Sequence, residues 1–134
     1  MRLWCWVFLL AVSLPSHAEW SKLTQNDRAS IYLDDGTIDK DPSSRAKVWL
    51  LFDLFQPDRL YAKTYRSAKE FVEFDCGQGR YQIEKFILYP APMGQGGSID
   101  ISSGKGLWTT LEPTDARAVA FHQICSGKPV RPND

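Results

Sequence analysis

Apolar and polar residues alternate most clearly between Tyr65 and Cys76. From Ala68 the even positions read Ala68, Glu70, Val72, Phe74, Cys76, and the odd ones Lys69, Phe71, Glu73, Asp75. Side chains alternate across a strand, so Val72, Phe74 and Cys76 share one face while mostly charged residues share the other. The run from Val48 to Phe55 is apolar on both faces: Val48, Leu50, Phe52 and Leu54 on one, Trp49, Leu51 and Phe55 on the other. That pattern predicts a central strand covered on both sides, with Asp53 needing a partner or solvent. Residues 19–24 supply a short first strand and residues 29–34 a second. Asp35-Gly36 follows, and Asp-Gly between apolar runs predicts a two-residue hairpin that pairs Asp34 with Thr37 and Leu33 with Ile38. Residues 39–44 read as a polar loop and 56–63 as a turn. Gly77-Gln78-Gly79 joins the Cys76 strand to residues 80–89 as an antiparallel hairpin, with Tyr81, Ile83 and Ile87 alternating against Phe86 and Leu88.

Residues 90–97, rich in Pro and Gly, form a loop that no regular element could hold. Residues 98–102 alternate Ile99 and Ile101 with polar groups, and residues 107–111 read as a last strand. The period then changes. Thr114 can cap a helix with Asp115 in its first turn; Ala116, Val119, Ala120 and Ile124 follow at helical spacing, and Ser126-Gly127 and Pro129 supply the stop. A helix of about 12 residues is marginal alone, so packing must hold it. The fold class is α+β, a small antiparallel sheet with one C-terminal helix.

The N-terminus reads differently. Arg2, the apolar run from Leu3 to Leu14 and the small-residue site Ser16-His17-Ala18 predict a secretory signal over residues 1–18 and one mature domain over 19–134. The apolar run is shorter than the roughly 20 residues of a membrane span. Cys5 lies far from the cleavage site, without a lipoprotein lead-in, so no lipid anchor is expected. The chain is then exported, to the periplasm, the medium or the outer surface. Removing Arg2 from the 16 basic residues leaves 15 against 16 acidic, a net of −1, which calls for neither nucleic acid nor an anionic membrane. Only Cys76 and Cys125 survive processing, and in an oxidising compartment a disulfide is their expected use. Cys125 lies one turn beyond Phe121 and can tie that side of the helix to the face bearing Cys76.

Candidate chemistry is sparse. The mature chain has one histidine, His122, with no nucleophile-elbow pattern beside it, so no catalytic residue is assigned. Zinc would have to rest on carboxylates. A calcium loop started at Asp39 places Asp41 and Ser43 correctly, but puts Ser44 where glycine is needed and Leu50 where glutamate is needed, so neither metal nor cofactor is expected. Gly94-x-Gly96-Gly97 lacks the strand-before, helix-after setting of a phosphate loop. Glu70 and Glu84 read as solvated charges on a hairpin. One stretch has the composition of a recognition surface. Arg59, Tyr61, Lys63, Tyr65, Arg66 and Lys69 set basic groups among tyrosines, with no acid after Asp58. The second apolar face, Trp49, Leu51 and Phe55 with Phe71 and Phe86 alongside, is more than one short helix can cover, so it needs a bulge, a folded-back strand or another molecule, and a homodimer is the expectation.

Taken together, Val48-Trp49-Leu50, Tyr65-x-Ser67-x-Lys69, Glu73-Phe74-Asp75-Cys76, Met93-Gly94-x-Gly96, Trp108, Pro113 and Cys125 resemble the bacterial surface-adhesin protein E family. Tyr32-Leu33-Asp34 and Thr37-Ile38 fit as well. The resemblance implies a six-stranded antiparallel sheet with a C-terminal helix tied to it by a disulfide. It also implies a non-enzymatic binding protein whose partner is a host extracellular-matrix or envelope protein. The alternative is a periplasmic inhibitor of a cell-wall hydrolase that presents residues 90–97 to an enzyme cleft.

Overall fold

Eight antiparallel strands make one sheet in the computed structural model, which describes residues 19–126. The expected signal at 1–18 and the helix-stop residues Gly127 and Pro129 lie outside the described residues. The strands are β1 (Trp20–Gln25), β2 (Ala29–Asp34), β3 (Asp39–Lys40), β4 (Arg45–Leu60), β5 (Lys63–Asp75), β6 (Arg80–Tyr89), β7 (Ile99–Asp100) and β8 (Thr109–Thr110), followed by α1 (Ala116–Ser126). Six of them run in the order β1-β2-β4-β5-β6-β7; β3 adds to β4 and β8 to β6. The β4–β5 hairpin is therefore central, as the two-faced apolar run requires. Among the described residues no helix is long and apolar enough to cross a membrane.

Register decides which residues become core. Ala46 lies opposite Phe74, Val48 opposite Val72 and Phe52 opposite Ala68, while Leu33 and Ile31 of β2 face Leu50 and Phe52. These side chains share one face, and α1 lies on it. Ala120 and Ile124 complete a cluster with Leu33, Val48, Leu50, Val72 and Phe74, and each large side chain buried there contributes about 1.5–3 kcal/mol. Phe121 meets Phe74 edge-on at 5.9 Å. The Cys76–Cys125 disulfide, with Cα atoms 5.4 Å apart, ties the end of α1 to the end of β5, as expected from the cysteines.

The second face is partly covered from within the chain. Residues 90–97 fold back on it: Met93 N donates to Asp53 Oδ1 at 3.0 Å, Gly94 N to Ser67 Oγ at 2.8 Å, and Ser67 Oγ to Ala91 O at 2.6 Å. Asp53 thus has its partner, and Leu51 is fully buried. Gly94 has φ +69°, a left-handed backbone that side-chain-bearing residues rarely adopt, which glycine takes without strain as the loop turns onto the sheet. Trp49 and Phe71 stack with ring centroids 5.1 Å apart and remain half-buried.

Four sequence expectations are corrected. Asp35-Gly36 does not close a hairpin. Asp34 Oδ1 accepts from Gly36 N and Thr37 Oγ1 donates to Asp34 O, closing a 3-10 turn over Asp35–Thr37. Neither Asp35 nor Gly36 takes positive φ, and β2 pairs with β1 and β4 instead. Residues 56–60 are strand rather than turn, since β4 runs to Leu60 and reverses at Tyr61-Ala62 (φ +50° and +61°). A bulge at Glu84 swaps the alternation of β6, because Val72 faces Ile83 while Phe71 faces Lys85. Phe86 and Leu88 therefore join the helix-covered face, and Ile87 joins the other. The helix cap is Asp115, whose Oδ1 accepts from Arg117 N at 2.9 Å, rather than Thr114.

Candidate functional site

The six residues singled out from sequence divide by environment. Beyond Asp53↔Ser67 the β4–β5 pairing breaks and resumes at Asp58↔Tyr65, so residues 54–57 stand opposite Arg66 alone. Pro57, which has no N–H for a ladder, sits within this interruption. Arg66 Nε fills it by donating to Leu54 O at 2.7 Å. Tyr65 is half-buried against the small cluster of Ala29, Ile31 and Leu54. Lys69 lies on the second face, its ammonium 4.9 Å from the Tyr89 ring centroid and 5.6 Å from that of Trp20. Only Arg59, Tyr61 and Lys63 are gathered at the exposed hairpin end, with Tyr61 78% exposed. Neither Arg59 nor Lys63 forms an ion pair among the described residues.

The helix-covered face leaves a trough where α1 begins. One lobe, about 390 Å³, has Phe52, Leu54, Ala68 and Phe86 in its lining, with Arg28 and Thr114 at its sides. A second lobe, about 250 Å³, is bounded by Leu60 and Tyr61 from the hairpin end and by Ile83 and Ile101. The lobes share Glu70 and Phe86.

Glu70 is buried, not solvated. Only 3% of it is exposed, and Arg117 grips it with a forked pair, Nε to Oε2 at 2.9 Å and Nη2 to Oε1 at 2.5 Å. Arg117 also donates from Nη1 to Asp115 Oδ1 at 3.1 Å, and its guanidinium lies 5.2 and 5.1 Å from the ring centroids of Phe52 and Tyr81. Burial pushes the Glu70 carboxyl above the ordinary range, against the opposing pull of Arg117. Burial acts downward on Arg117, and Glu70 with Asp115 outweighs it, holding the guanidinium charged. Sequence reading missed this pair, although a signal existed. Glu70 lies in phase with Val72 and Phe74, and Arg117 in phase with Phe121, Ile124 and Cys125, so both occupy apolar stripes.

Glu84, the bulged residue, is also largely buried. Lys47 and Lys105 Nζ lie 3.1 and 3.5 Å from its Oε1, close enough to pair but off hydrogen-bond alignment. His122 is exposed, with its ring 5.5 Å from that of Phe121. Asp41 caps its own turn, accepting from Ser43 N at 2.7 Å and from Ser43 Oγ. Among the described residues no three His, Cys, Asp or Glu side chains are grouped to hold a metal ion. Residues 90–97 do not project as an inhibitor loop would, since both Met93 N and Gly94 N are spent on the sheet.

Comparison with known proteins agrees with this architecture. The profile of surface-adhesin protein E matches residues 20–126. A structure of Haemophilus influenzae protein E superposes with a TM-score of 0.65 at 18% identity, covering 84% of this chain and 87% of that one. Crystal form II of the same protein gives 0.67 at 18% identity, over 84% and 91%. Protein E from non-typeable Haemophilus influenzae gives 0.64 at 18% identity, over 83% and 78%. No curated protein matches the chain by sequence.

Proposed function

This chain belongs to the surface-adhesin protein E family, and from that membership we propose that it is an exported, non-enzymatic binding protein. It acts from the periplasm, the medium or the outer surface on a host extracellular-matrix or envelope protein. The observation that carries the reading is the hairpin end. There an exposed tyrosine stands between two cations that form no ion pair among the described residues, on a two-residue turn that a long central hairpin holds out. Arg and Tyr are among the residues enriched at binding hot spots.

The test changes Arg59, Tyr61 and Lys63 together to serine and leaves Arg66, which holds Leu54 O, untouched. Capture of partner protein from matrix or envelope extract is expected to fall at least tenfold with the fold unchanged by circular dichroism. Added salt is expected to weaken wild-type capture as well. Capture that survives both treatments places the site elsewhere.

Self-association is the second part of the proposal. Trp49 and Phe71 keep a half-buried aromatic pair on the second face beside the docked loop, and apolar surface of that kind favours contact with another copy. Sedimentation velocity is expected to show mass above the monomer as concentration rises; a monomer at every concentration refutes it.

A further inference from the structure

We propose that the two-lobed trough beside α1 receives an extended segment of a protein partner, carrying two apolar side chains separated by one residue, with a carboxylate flank at the second lobe. The proposal rests on the binding-protein reading for the partner being a protein; the chemistry of the segment comes from the trough itself. The first lobe, about 390 Å³, falls in the size range of ligand sites and mixes polar and apolar surface, while the second is the more apolar. Two lobes meeting at Glu70 and Phe86 suit alternate side chains of an extended chain better than one compact molecule.

The inserted groups must be uncharged. Both Glu70 oxygens and all three donor nitrogens of Arg117 are already engaged, so a charged occupant would have to break the forked pair. The mouth of the second lobe is basic. Asp58 is matched by Arg28 and Glu84 by Lys47 with Lys105, while Arg117 alone answers both Glu70 and Asp115. Lys85, in the lining of the second lobe, and Arg59 and Lys63 beside it form no ion pair among the described residues. The charge left over at that end is positive, which selects an acidic flank there.

The experiment is an amide-resolved NMR titration of the isotopically labelled exported protein. Its probes are acetyl-Glu-Phe-Glu-Leu-Glu-amide, the same peptide with lysine for each glutamate, and dodecanoate. Saturable shifts are expected at Ala68, Phe86 and Ala116 and at Ile83 and Ile101, with the lysine peptide at least tenfold weaker. Thr114→Trp, which fills the first lobe from an exposed position, is expected to weaken the acidic peptide tenfold with the thermal midpoint unchanged. Should that variant misfold, Lys85→Glu is expected to narrow the gap between the two peptides. No saturable shifts, shifts confined to residues 59–63, equal binding of both peptides, or binding of dodecanoate alone would each overturn the proposal. Loss of partner capture in the hairpin-end variant, with no peptide in the trough, removes this inference and leaves the binding-protein reading standing. Peptide in the trough, with capture indifferent to the hairpin end, does the reverse.

Discussion

Replacing Cys76 and Cys125 together by alanine is expected to cost about 4 kcal/mol, the loop-closure value for a bridge spanning 49 residues. For a domain of this size that is a fall of roughly 15 °C in thermal midpoint, out of a total stability typically about 5–15 kcal/mol. The effect should concentrate on α1. Eleven residues do not hold a helix by themselves, and Ala118 and Ala120 bring little apolar area. Ile124 and the Phe121–Phe74 contact are the main packing left near the bridge. Hydrogen exchange in the variant should therefore show α1 amides losing protection before those of β4 and β5. Reducing the wild-type protein should reproduce the shift. A change below about 1 kcal/mol would mean that packing alone seats the helix, and that the bridge is not what orders it.

Much of this arrangement is legible in the residues. The alternation from Ala68 to Cys76, the two-faced run from Val48 to Phe55 and the change of period after Thr114 depend only on neighbours along the chain, and they fixed the sheet, its centre and the helix. What could not be read depends on partners far away in sequence. Asp35-Gly36 has the residues of a tight hairpin, yet Asp34 caps the turn instead and the chain passes on to pair beside β4. The tight reversal actually present uses Tyr61-Ala62, which carries no turn signature and is imposed by the pairing of Leu60 with Lys63. The bulge at Glu84 is equally silent, because one extra residue in a run of strand formers leaves composition unchanged while it moves Phe86 onto the opposite face.

The candidate surface shows the same division. Arg59, Tyr61 and Lys63 were readable because exposure at a hairpin end needs no partner. Tyr65, Arg66 and Lys69 share their composition, yet the interruption opposite residues 54–57 and the docked loop gave them structural partners. The trough was hidden for a related reason. It is the part of the sheet face that an eleven-residue helix fails to cover, so it follows from where α1 starts and how the hairpin pairs.

The second large effect is expected at the pair on the floor of that trough. Arg117→Ala leaves the Glu70 carboxylate buried without its counter-charge, a change that costs about 3–5 kcal/mol at neutral pH. Replacing both partners, Glu70→Leu with Arg117→Met, is expected to recover most of that loss, because the desolvation of both charges disappears along with their attraction. The pH dependence separates this account from simple loss of packing. Burial already holds the Glu70 carboxyl above its unfolded value in the wild type. Between the unfolded and folded values the native state binds more protons, so this group adds stability as pH falls through that window. Asp75 and Glu84 act in the opposite sense. Burial pushes each upward, but the hydrogen bond from Arg80 outweighs it at Asp75, and the ammonium groups of Lys47 and Lys105 outweigh it at Glu84, so both carboxyls are held low. Their contribution is present above the unfolded value and lost as pH falls through the folded one. Without Arg117 the Glu70 carboxyl rises further and takes up its proton at a higher pH. The gap in stability between Arg117→Ala and wild type should therefore narrow as pH falls from 7 toward 5, and urea unfolding at several pH values measures it. A gap that stays constant across that range would show that the arginine acts through its contacts with Phe52 and Tyr81 rather than through the charge it neutralises.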